Sequence, residues 1–263
     1  MNGDAISTDG NEDIAVGRKA PFPAAITLLS DDVHVVRFSL DDPLPRGHEL
    51  LDDAERERAE RFVFERDRRR FVAAHACVRT ALGRCLARPA AALRFGAGRR
   101  GKPYVIDAPL DVRFNLSDGG ERAVLAIALG REVGVDIEEV RPTEVDALAR
   151  RVFAPSEANA LAALPPDDRH AAFFRIWTRK EAFIKALGEG LAMPLDGFEV
   201  SPVEDDPAPL LRSCTAPHAP GDWCIRSLKA APGYAAAVAV DGSNCRIVCW
   251  DALSSGIDRL CPV

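Results

Sequence analysis

The sequence has no long apolar run. Its longest apolar stretches, around Ala123–Leu129 and Ala235–Val240, fall far short of the roughly 18 residues that a membrane-crossing helix needs, so no membrane partner is expected. No basic-then-apolar leader opens the chain, since Asp4, Asp9, Glu12 and Asp13 precede the first arginine, and the expected compartment is the cytoplasm. An excess of positive charge is also missing. With 34 Lys plus Arg against 40 Asp plus Glu the net charge is −6, which excludes a protein held to nucleic acid by bulk charge. The seven cysteines are odd in number, and the tight pair Cys245 and Cys249 lacks a partner set of Cys or His, so reduced thiols are expected in place of a zinc site or disulfide framework. The five histidines form no triad and no metal spacing. There is no Gly-rich phosphate loop and no GxGxxG, and Ser117-Asp118 is not in a nucleophile elbow, so a bound nucleotide would have to be held in some other way.

What is present is a chain of 263 residues, 47% hydrophobic and 28% charged, with the balance of a soluble globular protein and enough interior for one large domain or two smaller ones. Residues 1–25, rich in Gly, Asp, Asn and Pro, read as a loose tail. Val33–Phe38 reads as a strand. Asp52 or Asp53 is placed to cap a helix, and helix formers continue from Ala54 to Leu86 with a break near Phe64–Asp67. Arg99–Pro103 is a turn. Val112–Leu116 and Arg122–Leu129 read as strands around a turn at Ser117–Gly120, and Val133–Glu138 as a third. Helices are expected over Val145–Phe153, from Ser156, and from about His170 to Leu187, after a loop at Pro165–Asp168, with Gly188 as the stop. Short strands follow at Gly197–Val200, Trp223–Leu228 and Tyr234–Val240.

One internal echo is visible. Placing Ala81-Leu82-Gly83 on Ala186-Leu187-Gly188 also places Arg70 on Arg175, which fits a duplicated α/β unit with its seam near residues 130–142 and fits a chance match of two amphipathic helices equally well.

Strand alternation puts Asp136 and Glu138 on one face, with Val135 and Ile137 on the other. Side by side, two carboxylates repel unless a cation or a base lies between them, and they offer Mg²⁺ the oxygens it prefers; a solvated edge strand gives the same pattern. Trp177, Glu181, Ile184 and Gly188 share one helix face, which makes Glu181 a candidate third carboxylate, and Lys185 one turn on suits a phosphate. A surface Glu181–Lys185 pair is the plainer account. Seven arginines between Arg56 and Arg70, mixed with acids, form either a solvated face or, at Arg69 and Arg70, a bidentate anion grip. Arg100 and Lys102, on the turn stiffened by Pro103, are a second phosphate candidate.

Together these motifs resemble a known family. Gly134-Val135-Asp136-Ile137-Glu138, followed some forty residues later by the run from Trp177-Thr178-Arg179-Lys180-Glu181 through Lys185 to Leu191, resembles the signature of the 4′-phosphopantetheinyl transferases of the larger, surfactin-synthetase-activating type. Gly101-Lys102-Pro103, Phe114-Asn115-Leu116-Ser117, Pro194–Phe198 and Pro232-Gly233-Tyr234 extend the likeness over about residues 50–240. The resemblance implies an α/β (α+β) pseudo-dimer of two similar subdomains, 26–130 and 131–263, working as a monomer. It implies transfer of the 4′-phosphopantetheine arm of coenzyme A to a serine of an apo acyl or peptidyl carrier protein, with Mg²⁺ or Mn²⁺ as cofactor. Asp136, Glu138 and Glu181 match the metal-binding acids. Asp136, Glu181 and Lys185 match the catalytic set, Glu181 or a water beside the metal taking the serine proton. Arg56, Arg58, Arg70, Arg100, Lys102, Ser117, Asp118 and Lys185 match the residues on coenzyme A.

Two departures stand out. Asp118 occupies the place of a histidine that normally lies against the coenzyme A phosphates, and Glu55 the place of a lysine. Two other classes of protein remain as alternatives at this point: a binder of carrier domains or nucleotides without turnover, and a phosphodiester hydrolase using the same acids.

Overall fold

The computed structural model describes residue 23 and residues 25–42, 44, 46–188, 190, 193–203, 210–213 and 222–252; apart from 23 and 25, the expected tail at 1–25 lies outside them, as do Cys214 and Cys261. The first half runs β1 (Asp32–Ser39), α1 (Asp53–Glu60), α2 (Glu65–Leu86), β2 (Phe95–Ala97), β3 (Pro103–Val105), β4 (Val112–Gly119) and β5 (Arg122–Leu129). The second runs β6 (Val133–Glu139), α3 (Val145–Val152), α4 (Pro155–Ala162), α5 (Pro166–Leu187), β7 (Phe198–Val200), β8 (Leu210–Ser213), β9 (Trp223–Leu228) and β10 (Tyr234–Asp241), and β11 (Arg246–Ala252) follows.

The duplication is written in the topology. In the first half the strand order is β1-β5-β4, in the second β6-β10-β9, all antiparallel, and each half adds a small two-stranded sheet, β2-β3 or β7-β8. Both long helices have 22 residues and stop on a residue in the left-handed region, Ala87 and Gly188. Leu86 therefore corresponds to Leu187, and the alignment of Gly83 with Gly188 is corrected: Gly83 lies inside α2, where an added Cβ would meet the Arg88 carbonyl oxygen at 2.7 Å. β11 lies in the first half's sheet, parallel to β1, although a division of the chain after residue 130 assigns it to the second. It covers β1's open edge, and Arg246 grips Asp32 at 2.7 Å with two nitrogens.

The layers follow from the alternation of side chains. Val36, Phe38, Leu125 and Ile127 pack under α2 through Ala74, Val78 and Leu82, while Ala237, Ala239 and Ile225 pack under α5 through Ile176 and Phe183. The opposite faces of the two sheets meet each other through Val33, Val35, Val124 and Ala126 against Val133, Val135, Val238 and Val240.

Each half also repeats one buried polar device. Asp52 and Glu55 form a capping box on α1, and Glu55 accepts from Arg79 Nε of α2 at 2.6 Å, while Arg79 Nη1 donates to the Leu93 carbonyl at 2.8 Å. In the second half Glu157 caps α4 through the Ala154 amide, pairs with Lys180 of α5 at 2.8 Å, and Lys180 donates to the carbonyls of Leu195 and Phe198. Arg79 and Lys180 are both fully buried. Each joins the long helix to the short helix before it and the chain after it, and its paired, hydrogen-bonded state makes burial of the charge tolerable.

Three local expectations shift. β4 continues through Gly119, so its turn is confined to Gly120 (φ 58°) and Glu121. α5 begins at Pro166, four residues early, because a proline in the first turn and the acids Asp167 and Asp168 favour a helix start. Cys224 and Cys245 form a disulfide, Cα atoms 6.3 Å apart, where free thiols were expected; spacing in sequence does not reveal that the start of β9 and the approach to β11 adjoin. Cys77 and Cys85 are buried thiols, and desolvation pushes both up to about 12.

Candidate active site

The halves join where β4 runs beside β6 without sharing its sheet. Side chains take the place of a ladder: Asn115 Oδ1 accepts from the Val135 amide at 2.9 Å, and Ser117 Oγ from the Ile137 amide at 3.3 Å. Gly119 permits the approach, since a Cβ there would lie 2.7 Å from the Ile137 carbonyl oxygen. On the other side of β6, α5 crosses so closely at Gly134 that a Cβ would collide with the Ala182 carbonyl and the Ala186 amide.

That crossing brings the acids and the lysine together. Lys185 Nζ donates to Asp136 Oδ1 at 2.6 Å and to Ser117 Oγ at 2.8 Å, and Ser117 donates to Asp136 Oδ1 at 3.0 Å. Asp136 is 2% exposed, which removes the solvated-strand reading, and its Oδ2 is buried without a partner. Lys185 reaches across to β6 instead of forming a surface pair with Glu181. Burial, together with the charge of Asp136, raises the pKa of Glu138, opposed by a hydrogen bond from Trp177 Nε1 at 3.2 Å. Burial, then the charges of Asp136 and Glu138, raises that of Glu181. The three carboxylates therefore feel one another, although among the described residues no three His, Cys, Asp or Glu side chains stand as a ready metal cage. An all-oxygen set of mutually repelling acids, one with an orphaned buried oxygen, fits a hard divalent cation.

The basic residues are placed less simply. Arg70 does make a bidentate grip, but on the Asp41 carboxylate, at 2.7 and 2.6 Å, and it also holds the Gly120 carbonyl. Lys102 Nζ donates to Glu132 at 2.6 Å and to the Ala186 carbonyl at 2.7 Å, bracing the last turn of α5; burial lowers its pKa. Arg56 pairs with Asp53, Arg58 lies over the Phe71 ring, and Arg100 sits at φ 59° on its turn. Asp118 is exposed, and its side chain has no hydrogen bond or ion pair among the described residues. Glu55 is explained by Arg79 and by His75, whose Nδ1 lies 2.8 Å away: it is a structural anchor.

Family comparison decides the class. The description "4′-phosphopantetheinyl transferase superfamily" matches residues 132–239, and "4′-phosphopantetheinyl transferase, N-terminal" matches residues 44–129. The chain belongs to the 4′-phosphopantetheinyl transferase superfamily. It is similar to the 4′-phosphopantetheinyl transferase HetI of Nostoc sp., 38% identical over 88% of this chain and 96% of the relative. It is also similar to the 4′-phosphopantetheinyl transferase Sfp of Bacillus subtilis, 32% identical over 72% of this chain and 81% of the relative.

Sequence reasoning missed the buried cations Arg79 and Lys180 and the Trp177–Glu138 hydrogen bond. The signal for Arg79 was available: it stands among Cys77, Val78, Ala81 and Leu82 on the apolar stretch of its helix, where a charge requires a partner. Asp41 as the owner of Arg70 left no signal, because the two are distant in sequence.

Proposed function

We propose that this chain transfers the 4′-phosphopantetheine arm of coenzyme A to a serine of an apo acyl or peptidyl carrier protein and releases adenosine 3′,5′-bisphosphate. The observation that carries this reading is the meeting of Lys185 with Asp136 and Ser117 at the join of the halves, with Glu138 and Glu181 electrostatically coupled to it. Asp136, Glu138 and Glu181 would hold Mg²⁺ or Mn²⁺. When bound, the ion offsets the charge that builds on the pyrophosphate oxygens.

The serine oxygen forms the new bond to phosphorus while the bond from that phosphorus to the oxygen of the departing nucleotide breaks, and the electron pair leaves with the nucleotide. Glu181 takes the serine proton as general base, the bound cation keeping its carboxylate ionised against the burial that otherwise raises its proton affinity. Lys185 holds the transferred phosphate, where a cation gains in value as negative charge develops. Arg56 and Arg58 on α1 receive the nucleotide's 3′-phosphate, Arg56 exchanging its pair with the fully exposed Asp53 at little cost. Arg100 adds charge from its turn. Arg70, held by Asp41 and the Gly120 carbonyl, and Lys102, held by Glu132 and the Ala186 carbonyl, add positive charge on the coenzyme A side, and Ser117 keeps Lys185 and Asp136 in register. Because both halves of the site come from one chain, the working unit is a monomer.

Incubation with coenzyme A, Mg²⁺ and a small panel of apo-carriers, read by intact mass, tests the proposal and names the carrier class. One added arm on at least one carrier, lost in Asp136→Ala and Glu181→Ala, is expected. No addition to any carrier by the folded protein overturns it, and release of pantetheine phosphate without a carrier points to hydrolysis instead.

A further inference from the structure

A cavity lies behind β6. Set at the end of the space between the two sheets, it measures about 460 Å³, within the size range of small-molecule sites. Its floor is apolar, with Phe38, Val124, Ile137, Leu228 and Ala236 among the lining residues. Ile137 belongs to the core between the sheets, whereas its neighbours Asp136 and Glu138 meet Lys185 and Trp177 of α5, so the cavity and the acidic site use opposite faces of one strand.

The polar lining is not self-satisfied. Arg37 is committed, Nε to Asp251 at 2.9 Å and Nη1 to the Lys229 carbonyl. Arg122 has one ion pair, Nη2 to Glu121 at 3.2 Å, but its Nε is buried without a hydrogen-bond partner. Exposed Lys229 and half-buried Asp42 have no side-chain partner among the described residues. A buried guanidinium N–H left unpaired is costly and uncommon in a folded protein, and the Arg122 side chain, 38% exposed where it lines the cavity, has room to turn that N–H toward a bound oxyanion. The lining carries three cations, Arg37, Arg122 and Lys229, against two acids, Asp42 and Asp251, which leaves one positive charge in excess. This suits a single negative charge and disfavours two.

We propose that this cavity binds a small organic carboxylate, the oxyanion accepting from Arg122 and Lys229 and a short alkyl body resting on Phe38, Val124, Ile137 and Leu228. A phosphate monoester has the same oxyanion chemistry but brings a second charge toward Asp42 and Asp251, and it binds more weakly. The proposal is independent of the transferase reading, because none of these residues belongs to the acidic site.

Calorimetric titration of the full chain with hexanoate, hexyl phosphate and hexanol tests it, with the Ile137 methyl resonance reporting where the ligand lies. The expected result is saturable one-to-one binding of hexanoate at least fivefold tighter than of the other two, with a shift at Ile137. Arg122→Gln should lose at least fivefold for hexanoate and leave hexanol unchanged, and Lys229→Gln should lose less. Three outcomes overturn the proposal: no saturable binding below the concentration at which hexanoate self-associates, equal affinity for hexanol, or tighter binding of hexyl phosphate.

Discussion

Lys185 and Asp136 are paired across the seam of the molecule, Nζ 2.6 Å from Oδ1, and the partners are unequally buried: the lysine side chain is 30% exposed, the aspartate 3%. Removing the lysine leaves a buried carboxylate with only the Ser117 hydroxyl, whereas removing the carboxylate leaves a lysine able to turn toward water. Lys185→Met should therefore cost about 1–3 kcal/mol, below the range for a wholly buried pair, and Asp136→Asn less than about 1 kcal/mol. Denaturant unfolding without metal measures both, and equal losses would contradict the asymmetry. In steady-state kinetics Lys185→Ala should lower kcat more than it raises the KM for coenzyme A; an effect on KM alone would make the lysine an anchor only.

Glu138 and Glu181 keep their protons to higher pH in the folded chain than their ordinary value of 4.5. In that window the folded state binds more protons than the unfolded one. The stability these groups contribute is complete below the ordinary glutamate value and is lost as pH rises through the raised values. Without metal, wild-type stability relative to Glu181→Gln should fall as pH is raised from 4.5 toward neutrality, and added Mg²⁺ should restore it at the upper end, where the acids are ionised. A difference that stays flat with pH would show that Glu181 titrates normally.

Glu55→Lys, which introduces the lysine that the family resemblance suggests for this position, should damage this protein. The new ammonium would face the fully buried Arg79 guanidinium, which now has Glu55 at 2.6 Å, and the α1 capping box would lose its second member. A loss of about 3–5 kcal/mol follows from breaking a buried pair, visible as a large fall in Tm. An unchanged Tm together with tighter coenzyme A binding would show the opposite role.

Gly134→Ala tests the crossing of α5 over β6. The methyl group has only the α5 backbone before it, at Ala182 and Ala186, and rigid backbone does not yield as a side-chain tip does. About 1–3 kcal/mol or more should be lost, and transfer should fall further than stability alone explains, because any displacement of α5 moves Lys185 from Asp136. Full activity in the folded variant would mean that the site tolerates movement of the helix.

The Asp118 side chain is exposed and makes no hydrogen bond or ion pair among the described residues, so Asp118→Asn should change stability by less than about 0.5 kcal/mol. If its charge opposes the nucleotide, Asp118→His should lower the KM for coenzyme A by less than about tenfold, equivalent to ~1.4 kcal/mol, and leave 3′-dephospho-coenzyme A unaffected. A loss with both substrates would assign Asp118 a part in shaping the turn at Gly120.

Local pattern was enough to place the helices, the long central strands and the acidic motif, but it left out the short strands β2, β3 and β8 and the last strand, β11. Alternation set Asp136 and Glu138 on one face of a strand, and the three- and four-residue spacing of α5 set Trp177 with Glu181 and Lys185 one turn beyond, because these periods are properties of the backbone itself. The resemblance of the motifs gave the class, and family comparison agrees with it. Tertiary structure alone decided who pairs with whom. Whether Lys185 served Glu181 or Asp136, whether the grip of Arg70 was open or already closed on Asp41, and whether Glu55 was a lost lysine or an anchor for Arg79 all depend on distances between segments far apart in the chain. So does the return of β11 to β1, and so does the bond between Cys224 and Cys245. A charged side chain in sequence carries no mark of its partner; only packing brings the two within the few ångströms at which charge and hydrogen bonding act.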